Sequence, residues 1–139
     1  MHECKHLIIH CIDFRFGKAI KRYMEEKELL NDCDIVALAG ATKGLSSPVG
    51  AEETEVLMGQ IDISKKLHNM KEVILMNHMD CGAYGGHKAF PSINEERTHH
   101  LEEMAKAAVL INSKYPDLNI KKVLADINEA GEVAFVEVT

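Results

Sequence analysis

Three apolar runs separated by stretches of helical length constrain this chain more than any other feature. They read HLIIHC (6–11), DIVALAG (34–40) and EVILMNH (72–78). Short, continuous aliphatic and β-branched runs bounded by turn residues are the pattern of strands buried on both faces. After the first, GKAIKRYMEEKELL places Ile20, Tyr23, Met24 and Leu30 at helical spacing. After the second, ATKGLSSP reads as a loop, with Ser47 as helix N-cap and Pro48 in the first helical position. Glu52 and Glu53 then sit near the positive end of a helix expected to reach about Asn69. After the third comes the Gly-rich stretch MDCGAYGGHKAFPS. A helix from Ile93 to Lys114 follows, with Leu101, Met104, Ala105, Ala108 and Ile111 on one face and Pro116 as its stop. IKKVLADI and EVAFVEV read as two last strands, joined by NEAG, a link short enough for a hairpin.

Strands separated by helices pair in parallel, and a hairpin pairs antiparallel. The expected fold is therefore α/β: a single three-layer domain over residues 1–139 with a mostly parallel sheet. The expected strand order is 2-1-3-4, with strand 5 antiparallel at the edge. With 139 residues, 46% hydrophobic and 27% charged, the chain can bury one core. No apolar run approaches the ~18 residues that span a bilayer. A net charge of −6 argues against nucleic acid as a partner. MHECKHLIIHCIDFR lacks the features of a signal peptide, so a cytoplasmic protein is expected. There, disulfides are rare, and metal or catalytic roles gain weight for Cys4, Cys11, Cys33 and Cys81.

In open α/β sheets, ligands bind beyond the C-terminal ends of the strands, where the strand order reverses. With order 2-1-3, that point lies between strands 1 and 3. Strand 1 runs into Cys11-Ile-Asp13-Phe-Arg15, and strand 3 into His78-Met-Asp-Cys81-Gly82. The topology brings Cys11, His78 and Cys81 to one crevice. Two thiolates and an imidazole are a zinc donor set, and three protein ligands leave a coordination position open for chemistry. Water there ionises near pH ~7. Asp13 is placed to orient that hydroxide, or to take the open position itself and silence the site. Arg15 is placed to hold Asp13 ionised through a bidentate pair. Cys4 and Cys33 have no such partners. Phe14 and Tyr84 offer apolar lining for a small pocket. RTHHLEE, with His99 and His100, reads as solvated helix surface. GLSSPVGAEE offers a helix start to an anion but lacks the P-loop pattern.

CIDFR (11–15) and HMDC (78–81) resemble the paired C-x-D-x-R and H-x-x-C signature of the β-class carbonic anhydrases. LAGATKG (38–44) is similar to that family's N-A-G segment, with Leu38 in place of the usual polar residue. The resemblance implies that Cys11, His78 and Cys81 bind Zn2+ and that Asp13 and Arg15 form the catalytic dyad. It implies a lyase that reversibly hydrates carbon dioxide to bicarbonate through zinc-bound hydroxide. It further implies a homodimer or higher homo-oligomer, although Cys11 stands too near Met1 for the family's N-terminal arm. The same site also suits hydrolysis of carbonyl sulfide or carbon disulfide. A zinc-binding protein without hydratase activity is the reading from a different class, and a fourth Cys or His on the metal would mark it.

Overall fold

A computed structural model describes residues 2–138 of the chain. Strand β1 (His6–His10) leads through a single 3-10 turn into helix α1 (Gly17–Glu26). Strand β2 (Cys33–Ala37), the one-turn helix α2 (Lys43–Ser46) and helix α3 (Ala51–His68) follow. Strand β3 (Glu72–His78), helix α4 (Ile93–Lys114), and strands β4 (Asn119–Ile127) and β5 (Val133–Val138) complete the chain. The sheet order is β2-β1-β3-β4-β5, parallel except for the antiparallel β4–β5 pair, as the sequence pattern predicts. Among the described residues, no helix is long and apolar enough to cross a membrane.

Alternating side chains send each central strand into two cores. Leu7, Ile9, Val73 and Leu75 pack with Leu57 and Ile61 of α3 and with Ala107 and Ile111 of α4. Ile8, Ile74, Met76 and Val123 pack on the other face with Ile20, Tyr23 and Met24 of α1. This two-sided burial is why β1 and β3 are apolar throughout.

Three local expectations are corrected. Helix α1 stops at Glu26 rather than running through Leu30. Glu28 turns left-handed (φ 56), and the Leu29 amide donates back to the Met24 carbonyl at 2.7 Å. That closure folds Leu29 into the core and leaves Leu30 exposed. Ser47 does not cap α3, and Pro48 does not open it: the helix starts at Ala51 behind Gly50. The Ser47 hydroxyl donates instead to Glu103, a buried carboxylate with a greater need of donors. The α3 start is served by its own acids, with Glu53 accepting from the Val49 amide at 2.9 Å. That leaves the anion reading of this segment without support. In α4, Ala105 is exposed, and the inward face carries Glu96, His100 and Glu103 beside Met104, Ala107 and Ile111.

Candidate metal centre

β1 and β3 are parallel neighbours, so both C-terminal ends open into one crevice, where the chain switches from one side of β1 to the other. Cys11 follows β1, His78 ends β3, and Cys81 lies one turn further on. One donor atom from each of the three lies within 4.8 Å of the other two. All three side chains are buried.

His78 shows how the site is prepared. Its Nδ1 donates to the Met79 carbonyl at 2.7 Å, and Phe16 packs on the ring with centroids 4.2 Å apart. The tautomer and ring angle are thereby set, leaving Nε2 as a bare lone pair. That atom is buried and has no hydrogen-bond partner. An unpaired buried acceptor costs about 1–3 kcal/mol, which a bound cation relieves.

The two thiols tell the same story. The adjacent Cys81 thiol, opposed by burial and helped by His78, pulls the Cys11 thiol well below its ordinary range. The thiolate so favoured pushes Cys81 far upward, reinforced by burial. Two buried thiols thus share one negative charge, and a divalent cation between them lets both ionise. The Gly40 amide donates to Cys11 Sγ at 3.4 Å. Gly40 has φ +82, and a Cβ there would meet the Lys43 Cβ at 2.9 Å. Only glycine allows that approach, which gives the LAG segment its place in the site.

Asp13 stands beside these donors, with Oδ2 3.8 Å from His78 Nε2. It accepts from the Arg15 amide at 3.0 Å, from Arg15 Nε and from Arg15 Nη2 at 2.7 Å. The Arg15 guanidinium holds the Asp13 carboxyl below the usual carboxylate range. Arg15 also reaches the Asp80 carboxylate and the Asp80 carbonyl, each at 3.0 Å, so it ties the β1 end to the β3 end. An open cleft extends outward past Asp13, Arg15, Ala39, Asp80 and Lys88. Phe14 lies at its mouth, 90% exposed, whereas Tyr84 packs edge-on against His100 and does not line it.

The sequence reading missed the buried support of the 80–87 loop. Glu96 accepts from the Asp80 amide at 2.6 Å and from His87 Nδ1. Asp80 itself is left-handed (φ 58) and accepts from the His87 amide at 2.9 Å. His100, expected at the surface, is fully buried. Thr42 donates to Asn77, whose amide donates to His100 Nδ1 at 3.3 Å. The signal was present: positions 96, 100, 103, 107 and 111 follow one helical stripe, but three of them are polar.

Burial lowers the His100 pKa from 6.5 to about 4, with a smaller opposing pull from Glu96. The folded state favours the neutral ring, so this stabilisation is complete above pH 6.5 and is lost as pH falls towards 4. The drop amounts to about 3 kcal/mol. Urea unfolding at successive pH values is expected to show it, and His100→Asn to flatten that slope.

The chain belongs to the family described as "Putative carbonic anhydrase", whose model matches residues 1–137. It is 29% identical over 131 residues to an uncharacterized protein of Rickettsia bellii (strain RML369-C), covering 92% of this chain and 80% of that one. A protein of Rickettsia conorii (strain ATCC VR-613 / Malish 7) is 28% identical over 131 residues, covering 92% and 70%. Among solved structures, the β-carbonic anhydrase CcaA superposes with a TM-score of 0.67 at 16% identity, over 100% of this chain and 79% of that one. The carbonic anhydrase from Glaciozyma antarctica gives 0.55 at 17% identity, over 97% and 83%. A tetrameric β-carbonic anhydrase from Sordaria macrospora gives 0.50 at 16%, over 100% and 84%. The fold is that of the β-carbonic anhydrases.

Proposed function

We propose that this chain is a zinc-dependent carbonate dehydratase that interconverts carbon dioxide and bicarbonate. The observation that carries the reading is the buried, unpartnered Nε2 of His78, facing two charge-sharing thiols beside the Asp13–Arg15 pair. Cys11, His78 and Cys81 would hold the zinc. When bound there, zinc lowers the pKa of a water molecule towards ~7 and supplies a nucleophile at neutral pH.

The chain's own residues do the rest. Arg15 holds the Asp13 carboxyl below the usual carboxylate range, so at neutral pH the carboxylate would accept a hydrogen bond from the nucleophile and orient its lone pair. Arg15 holds that carboxylate by a multidentate pair, with its Oδ2 3.8 Å from His78 Nε2, within reach of a nucleophile on the open position. The cleft is lined by two carboxylates, Asp13 and Asp80, and two cations, Arg15 and Lys88, with Arg15 paired to both acids. A homodimer or higher homo-oligomer is in keeping with the tetrameric β-carbonic anhydrase that shares the fold. Four free cysteines are in keeping with a reducing cytoplasm.

Depletion of oxygen-18 from labelled bicarbonate tests the reading, with carbonyl sulfide hydrolysis measured in parallel. Zinc-loaded protein is expected to accelerate depletion far above buffer and to stop when chelated. Rapid carbonyl sulfide turnover without depletion would transfer the site to the sulfur substrate. Neither activity would overturn catalysis.

A further inference from the structure

β1 has a cysteine beyond each end. Cys11 belongs to the centre described above. Cys4 lies at the opposite, N-terminal end of the strand, seven residues and roughly 23 Å away along an extended chain. There it meets Asp34 at the start of β2 and His68 at the end of α3. One donor atom from each lies within 4.8 Å of the other two, the same convergence that marks Cys11, His78 and Cys81. We propose that Cys4, Asp34 and His68 form a second cation site, suited to zinc. The proposal does not rest on the hydratase reading, because the two sites share no residue.

Several independent observations point the same way. His68 is the last residue of an 18-residue helix, so the site sits at the negative end of the α3 dipole, where a cation is favoured. Asp34 Oδ2 and His68 Nδ1 lie 2.7 Å apart, a hydrogen bond that keeps both atoms within reach of one ion. The Ser64 hydroxyl donates to the same Asp34 oxygen at 2.6 Å and would orient the carboxylate from behind. The His2 ring stands 5.2 Å from the His68 ring, centroid to centroid, and offers a nearby nitrogen. The Cys4 thiol makes a long 3.5 Å contact to the His6 carbonyl.

The donor classes decide the ion. Thiolate, imidazole and a single carboxylate suit zinc and exclude magnesium and calcium, which take oxygen ligands. The His68 and Asp34 side chains are 27% and 31% exposed, which leaves an ion a path in from solvent. Bound zinc would tie three segments distant in sequence: the stretch before β1, the start of β2 and the end of α3. The backbone already joins two of them, since the Cys4 amide donates to the His68 carbonyl at 3.0 Å.

The test is zinc content per chain after the apoprotein is equilibrated with zinc alone and freed of excess. Wild type is expected to hold two ions, and Cys4→Ser and His68→Ala one each, with carbon dioxide hydration unchanged. Cys11→Ser is expected to lose the other ion, and the Cys4→Ser/Cys11→Ser pair to lose both. Melting temperature gives a second readout: added zinc is expected to raise it less in Cys4→Ser than in wild type. A wild type holding a single ion that Cys4→Ser loses and Cys11→Ser keeps would support this site and remove the first. Zinc content in Cys4→Ser and His68→Ala equal to wild type would overturn the inference.

Discussion

Cys11→Ser is expected to reduce carbon dioxide hydration to the buffer rate and to lose zinc from the β1–β3 crevice. Serine keeps the shape of the side chain and removes its chemistry: a hydroxyl does not ionise near neutrality, whereas the Cys11 thiol is already pulled down by Cys81 and His78. Only His78 and Cys81 then remain as protein donors, one fewer than the three that hold a catalytic zinc. Loss of a direct ligand should exceed the ~10–100-fold drop in affinity typical for outer-shell partners. Zinc retained after dialysis against a weak chelator, measured beside the hydration rate, reads both effects. Far-UV circular dichroism is expected to stay native, because Cys11 lies just beyond β1.

Asp13→Asn is expected to behave differently, keeping its zinc while losing turnover. The amide retains one acceptor oxygen but not the charge, and its NH2 group faces the Arg15 donors. Arg15 is left with Asp80 as its only anionic partner. The lost element is an ionised acceptor aimed at the nucleophile, and positioned groups of this kind contribute about 10²–10⁴-fold. The fall should appear in kcat, with KM little changed, because Asp13 is not proposed to bind ground-state carbon dioxide. The pH profile gives a further check. The Asp13 pKa is depressed in the folded protein, so its charge, and the modest stability it brings, are present above the unfolded value and lost only as acid reaches the folded one. Asp13 therefore does not titrate between neutral and alkaline pH, and any rise in wild-type turnover there belongs to the nucleophile.

The contrast between these residues and the buried α4 stripe explains what was legible in the sequence. The strands were legible because a parallel strand buried on both faces is apolar throughout, as in LIIH of β1 and VILMN of β3. Their order follows from the helices between them. Given that order, the crevice donors follow, since Cys11 and His78 must emerge side by side. Glu96, His100 and Glu103 were misread because charge normally signals solvent. Their burial depends on distant donors: Ser46 and Ser47 for Glu103, the Asp80 amide for Glu96 and Asn77 for His100. Leu29 entered the core instead of Leu30 because a left-handed Glu28 reverses the chain, a choice the apolar pattern does not encode. Cys4 looked isolated because its neighbours Asp34 and His68 come from elements far along the chain.

Stopped-flow hydration of carbon dioxide by zinc-loaded protein, from neutral to alkaline pH, tests the central claim most directly. Turnover well above buffer, rising with pH and absent in Cys11→Ser, is the expected result. Zinc-loaded wild-type protein that leaves the buffer rate unchanged across that range would contradict it.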